Sequence, residues 1–496
     1  MIETVNPPVI LRPYQIDFIS NLSLKVREKR KVVACAPTGS GKTKMFIHIA
    51  NIAKAKQRPV IIISESRKIF DQITGEAGGI EIADGMKHTR IVPGGLYVAM
   101  AQTLARRPLI VEQFNTIKPA PLIIVDEAHV GTPSNILRAL TEDGAAMVLG
   151  FTATPDARAA KHLPELYNDI VVCCQVDDLI QQGFLCTYKH HARTKAGTNV
   201  LEIKNGEYTE ESQSRAFNRP EVYDGVFEDL HKFSFKKCMI FVSSIEHCEI
   251  MYERLLHQGF SACRYHSKLS SPAFELAKFM QLDEANVCVS VASLTKGFDF
   301  PPVDLVVLVR STTSLPLYLQ MIGRASRPIP GTKDFFQVID YGDNWKTHGL
   351  YWDHRDWENM WNDVKKKKKS ELGTAPVTMC GDCEAVISTT VRICPYCGCT
   401  RPLTVKELAQ GELIEVTQAY SSLIGRQVST LNAEELATYA KLKSKQRFAA
   451  RIAKAHEQKF PGFLLDFAHY MGYKSTWIDH QPIPSEPIEF ADIVLR

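Results

Sequence analysis

No run of about 18 uncharged apolar residues occurs in the 496-residue chain, so a membrane-spanning helix is excluded as an expectation. The start, Met1-Ile2-Glu3-Thr4, lacks a basic segment followed by an apolar core, and a secretory leader is not expected. A disulfide framework is missing too. The 13 cysteines are odd in number and scattered through apolar segments, apart from one tight cluster, which is the usage of a reducing compartment and predicts a cytoplasmic protein. Excess charge of one sign is also in short supply: a net +4 permits a polyanionic partner without demanding one. What remains is ordinary globular material, 45% hydrophobic, at a length suited to about three domains.

The most informative run is Ala36-Pro37-Thr38-Gly39-Ser40-Gly41-Lys42-Thr43. It follows the apolar strand candidate Lys31-Val32-Val33-Ala34-Cys35 and precedes a helical stretch over 44–53, the strand–loop–helix context of a phosphate loop. Gly39 and Gly41 let the backbone turn its N–H groups inward, and the helix presents its positive end, so several donors converge on an anion. Residues 37–43 would then hold the phosphates, with Lys42 reaching the outer ones and Thr43 ligating magnesium. Ala36 stands where the common pattern has glycine.

A second apolar strand candidate, Pro121-Leu122-Ile123-Ile124-Val125, ends in Asp126-Glu127-Ala128-His129. Carboxylates at a strand's carboxyl end face the ligand crevice of a parallel sheet. Asp126 is suited to hold magnesium, and Glu127 to orient and deprotonate an attacking water. Beyond about Lys236 the alternation of strands and helices restarts without a second phosphate loop, so this second α/β domain should complete the first domain's site. Further on, Cys380-x2-Cys383 and Cys394-x2-Cys397 form paired knuckles with ten residues between them. Four thiolates turned toward one point make a closed tetrahedral site, which predicts structural zinc.

In this order the motifs resemble a superfamily 2 helicase of the Asp-Glu-x-His (DEAH) type, similar to phage branch-migration (UvsW-like) helicases and restriction-enzyme motors. The resemblance implies two RecA-like parallel-sheet domains in tandem, followed by a small zinc ribbon-like module and a helical C-terminal region. The expected divisions are 1–192, 193–360, 361–403 and 404–496. It also implies ATP: Leu11-Arg12-Pro13-Tyr14-Gln15 matches the adenine-contacting segment, with Arg12 and Gln15 at the nucleotide. Thr152-Ala153-Thr154-Pro155 matches the motif that couples hydrolysis to domain movement, with Thr152, Thr154 and His129 in that role. Arg67, Gln102, Thr103 and Thr295 match positions that touch nucleic acid, whereas Gly297 and Asp299 match positions facing the nucleotide. Gln320-Met321-Ile322-Gly323-Arg324-Ala325-Ser326-Arg327 resembles the sixth helicase motif. It places Gln320, Arg324 and Arg327 in the catalytic set, and the two arginines are expected on a helix that points across the cleft.

The implied activity is an ATP-dependent DNA helicase or translocase acting on forked or branched DNA. The alternatives are an RNA helicase, a motor subunit of a nuclease complex, and a non-catalytic nucleic-acid-binding scaffold. The expected protein is a monomer without a membrane partner, in the host cytoplasm if phage-encoded. Trp345, Trp352, Trp357 and Trp361 cluster just before a lysine run over 365–369; they could stack bases or dock the tail onto the core. Residues 195–220 are polar, with Asn205-Gly206 as a turn signal, and read as linker and entry to the second domain. The helical stretch over 433–456 carries a basic face suited either to phosphates or to solvent.

Overall fold

In the computed structural model the described residues are 10–64, 67–82, 90–155 without 132 and 143, 162–193, and 200–366 without 205, 282–283, 292–293 and 295–297. Beyond these come 377–379, 386–388, 413–417, 423, 426–427, 430–442 and 446–471.

The first domain is a seven-stranded sheet, all parallel, built from β1 (Lys31–Cys35), β2 (Val60–Ser64), β3 (Ile80–Ile82), β4 (Leu96–Met100), β5 (Leu122–Val125), β6 (Met147–Thr152) and β7 (Asp169–Val172). Its order is β3-β4-β2-β5-β6-β1-β7. Alternate residues of each inner strand enter separate cores on the sheet's two faces. Val33, Ile61, Ile63 and Ile123 share one cluster, and Val32, Val60, Ile62 and Ile124 share the other. That two-sided burial explains why these strands read as unbroken apolar runs.

The second sheet joins β8 (Thr187–Arg193), β11 (Lys237–Val242), β12 (Ala262–Tyr265), β13 (Val287–Ser290), β14 (Val303–Val309), β15 (Phe335–Asp340) and β18 (Leu413–Glu415). Its order is β12-β13-β11-β14-β15-β8-β18, and β18 is antiparallel. The short hairpin β9 (Ile203–Lys204) and β10 (Glu207–Tyr208) stands apart. Two α/β domains therefore lie in tandem, as the sequence suggests, but the divisions differ. β8 pairs with β15 from Thr187 onward, so the second domain begins before residue 193, because the strand's partners lie in that sheet.

The described part of this stretch, residues 200–220 without 205, does enter the second domain. The hairpin turns at Gly206, at φ +83°, and the helix Glu210–Phe217 buries Ala216 and Phe217 in the second domain's core. Trp345, Trp357 and Trp361 are buried, as the docking reading has it, and Trp352 is half-buried. Trp357 and Trp361, on the helix Trp357–Lys366, join the first domain's core, so a division at 360/361 cuts a helix. Trp345 joins a separate cluster with the helices Ala433–Leu442, Gln446–Lys459 and Phe463–Met471. Buried indoles have no free face on which to stack a base. The chain thus crosses from second domain back to first, and Gln175 and Arg355 seal the crossing: Gln175 Nε2 donates to Arg355 O at 3.1 Å, and Arg355 N donates to Gln175 Oε1 at 3.2 Å.

The zinc cysteines Cys380, Cys383, Cys394 and Cys397 lie outside the described residues. So do the lysine run over 367–369 and most of the basic side chains between 441 and 451. β16 (Val377–Met379) and β17 (Val386–Ser388) pair antiparallel on either side of residues 380–385. Among the described residues no helix is long and apolar enough to cross a membrane, and no cluster of His, Cys, Asp and Glu is arranged to hold a metal.

Candidate active site

The phosphate loop leaves β1 at Ala36, whose N–H donates to Thr152 O at 2.9 Å, and runs directly into the helix Lys42–Ala55. That helix starts two residues earlier than its apolar period suggests. Gly39 and Gly41 sit at φ +85° and +82°, in the left-handed region that L side chains rarely adopt. Space is short as well: a Cβ on Gly41 would meet Gln15 Nε2 at 2.6 Å, and one on Gly39 would meet Leu185 Cδ2 at 2.8 Å. Lys42 Nζ rests 3.3 Å from the carbonyls of Ala36 and Pro37.

The segment expected at adenine braces this loop. Gln15 is buried; its Nε2 donates to Ser40 O at 2.7 Å, and its Oε1 accepts from Arg12 N at 2.9 Å. Tyr14 OH donates to the same carbonyl at 2.8 Å, and burial pushes the phenol's pKa up. The Arg12 guanidinium lies 4.3 Å over the Phe184 ring, which is 5.3 Å from that of Tyr14. Tyr14 and Phe184 have no role in the sequence reading. Tyr14 could have been suspected from its place beside Gln15, but Phe184 is 170 residues away in sequence from Tyr14 and carries no local signal.

β5 delivers Asp126 and Glu127 to the carboxyl edge of the sheet. Asp126 N donates to Ile63 O at 3.0 Å, and the residue is buried. Glu127 has φ +50°, an uncommon backbone state for a side chain, costing roughly 1–3 kcal/mol and concentrated at functional sites. His129 Nδ1 lies 2.9 Å from Thr152 Oγ1 and 3.3 Å from Glu127 Oε2, and Thr154 N donates to Thr152 Oγ1 at 3.1 Å. The acid motif and the coupling motif are therefore one connected network. Oxygen donors on Thr43 and Asp126 line the same cleft, a donor set that fits magnesium.

The opposite wall comes from the second domain. Thr38, Gly39, Gly41, Lys42, Thr43, Asp126 and Glu127 face Asp299, Arg324 and Arg327 across one cleft, which Glu76 and Phe298 also line. Gln320 is buried on the helix Leu315–Ile322. That helix stops at Gly323, so Arg324 and Arg327 are not on it, contrary to expectation. Instead they occupy the turn that follows, where Gly323 abuts Thr38: a Cβ there would meet Thr38 Cγ2 at 2.8 Å. Arg324 is buried; its Nη1 donates to Phe298 O and its Nε to Gln320 O at 3.2 Å. Burial lowers its pKa, while the Glu127 carboxylate acts the other way. Arg327 pairs with Asp299.

Among the expected nucleic-acid contacts, Gln102 is exposed but Thr103 is buried. On the helix Ala101–Ala105 the core takes Ala101, Thr103 and Leu104, and of the two expected contacts Gln102 is the one open to a phosphate. Arg67 begins the helix Arg67–Ala77; its side chain, Thr295 and Gly297 lie outside the described residues.

Two α/β domains sharing one cleft, lined by the glycine-rich loop and the acid pair on one side and by two arginines on the other, have the arrangement of a nucleotide-driven motor, a class that comparison narrows. Residues 8–157 match the model for the type III restriction enzyme res subunit, and residues 222–328 match the helicase conserved C-terminal domain. The chain belongs to the superfamily 2 helicase group, and its enzyme class is ATP-dependent helicase. It is 27% identical over 367 residues to a 51.5 kDa protein of Lactococcus phage (isolate 7-9), covering 73% of this chain and 76% of that one. It is 26% identical over 360 residues to a Saccharomyces cerevisiae protein provisionally designated the ATP-dependent helicase IRC3, covering 67% of this chain and 51% of that protein. The chain thus spans about half the length of the yeast relative. A fragment assigned as an HsdR subunit of a type I restriction enzyme from Vibrio vulnificus YJ016 shares the fold, with TM-score 0.54 and 20% identity over 68% of this chain and 66% of that one.

Proposed function

We infer that the chain is an ATP-driven DNA helicase or translocase working on forked or branched DNA. The observation that carries the motor reading is the cleft itself, with Lys42, Asp126 and Glu127 on one domain and Arg324 and Arg327 on the other. ATP would bind with its phosphates on residues 37–43 and its base toward Gln15. Magnesium held by Thr43 and Asp126 would neutralise phosphate charge. Glu127 would orient the water and take its proton, and Arg324 and Arg327 would meet the phosphates as the cleft closes. The Glu127–His129–Thr152–Thr154 network would carry the change of state to the domain interface. Contacts near Arg67, Gln102 and Thr295 would then shift along a strand, so motion is the product.

The restriction-enzyme description of the matched amino-terminal model favours DNA. Motors that hold the backbone do not by themselves distinguish DNA from RNA, which differ in the 2′-OH and duplex shape. The test is ATP turnover with single-stranded DNA, a fork, a four-way junction and single-stranded RNA at one salt concentration. Forked and four-way DNA should stimulate most; stimulation by RNA alone would replace the DNA reading with an RNA helicase.

Cys380, Cys383, Cys394 and Cys397 supply four soft thiolates at knuckle spacing, a set suited to structural zinc. Elemental analysis should find one zinc per chain, lost on Cys394→Ser. Purified protein free of zinc under chelator-free conditions would remove the module.

A further inference from the structure

Lys333 plays no part in the site as described, yet its surroundings are unusual for a lysine. Its Nζ lies within hydrogen-bond distance of four backbone carbonyls that share its three N–H donors, Ala325 O at 2.6 Å, Pro301 O at 2.8 Å, Val303 O at 2.5 Å and Arg327 O at 3.0 Å. A tight turn delivers it there. Pro330 and Gly331, the latter at φ +71°, fold the chain back so that Ile329 N donates to Lys333 O at 2.8 Å and Lys333 N to Ile329 O at 2.9 Å. The four carbonyls belong to two segments. One follows Phe298 and Asp299, and the other carries Arg324 and Arg327.

Those segments also meet through Arg324 on Phe298 O and Arg327 on Asp299. Such contacts involve the groups that must turn toward phosphate, so they cannot serve as a permanent fastening. Lys333 fastens the same segments from behind, through backbone only. An ammonium is suited to this task because its three donors radiate to several carbonyls at once, and charge-assisted bonds are roughly twice as strong as neutral ones.

We propose that Lys333 is a positioning residue for ATP hydrolysis, clamping the Pro301–Val303 turn to the Arg324–Arg327 turn so that the arginines meet the phosphates in register. This rests on the reading of Arg324 and Arg327 as phosphate-facing groups. Misplacement of a reacting group by about 1 Å can cost about 10²-fold in rate, so the clamp should appear in kcat rather than in nucleotide affinity, which the phosphate loop of the first domain supplies.

The pH dependence follows from the same geometry. Burial pushes the Lys333 ammonium down to about 8. The groups facing it are Asp304, Arg327 and Cys186, whose thiol burial pushes up to about 11. The charged clamp is therefore complete below about pH 8 and is lost as the pH rises through that value.

The experiment compares the full chain with Lys333→Met, Lys333→Arg and Arg327→Ala, measuring DNA-stimulated kcat and KM for ATP, binding of a fluorescent ATP analogue, and thermal melting. Lys333→Met should lower kcat at least tenfold, with analogue affinity within threefold of the parent and one cooperative melting transition. Lys333→Arg should recover most of the rate and move the alkaline fall of kcat upward by at least one pH unit. An unchanged kcat in Lys333→Met, or equal losses of rate and affinity, would overturn the clamp. If Lys333→Met does not fold, the alkaline limb decides: coincident limbs for the parent and Lys333→Arg overturn it, as does failure of both variants to fold. Normal turnover in Arg327→Ala would instead overturn the arginine reading beneath it.

Discussion

Arg327→Ala should lower nucleic-acid-stimulated ATP turnover by about 10³-fold or more, while binding of ATP to the first domain changes little. A guanidinium that spreads charge over a transferring phosphoryl group is worth about 10³ to 10⁵ in rate. Arg327 comes from the second domain, whereas Lys42 and Thr43, the groups suited to ground-state binding, come from the first. Arg327 is the cleaner of the two arginines to replace. Loss of Arg324 would also remove its hydrogen bonds to Phe298 O and Gln320 O, which tie two segments of the second domain together. Single-turnover hydrolysis and analogue binding on one preparation check the expectation. Parallel loss of binding and rate would make Arg327 a nucleotide-affinity residue.

Glu127→Gln should be nearly as severe, with turnover falling about 10²- to 10⁴-fold, the usual contribution of a positioned general base. The amide keeps the size of the carboxylate and can still reach His129, so ATP should bind and the domains should still close. The outcome to look for is a stable complex with ATP and DNA that does not turn over. Activity near that of the parent would remove Glu127 as the base and turn attention to another carboxylate, of which Glu76 also lines the cleft.

These two residues illustrate how unevenly the site can be read from the chain alone. Glu127 follows an apolar strand directly, and its place at a sheet's carboxyl edge needs only local pattern. Arg327 was legible as a family motif, but the expected helix ends at Gly323, and the close approach of Thr38 to that glycine is a contact between domains that no local propensity encodes. Thr103 is a similar case: its motif matches a phosphate-contacting position, whereas the packing of a short helix buries its side chain. The tryptophans are recognisable as a cluster from sequence, but whether they stack bases or dock is decided by packing, which puts Trp357 and Trp361 in the first domain's core.

Contiguous residues were enough for the two α/β domains and the helicase grouping, and for placing the glycine-rich loop and the acid pair at the ends of their strands, because the spacing of glycines, apolar strands and charged ends is itself the physical requirement. The wall of Arg12, Tyr14 and Phe184, the reach of β8 into the second sheet and the four carbonyls around Lys333 arose only on folding. Each brings together segments whose separation along the chain says nothing of their distance, and only the packing of two sheets and the crossings between them sets it.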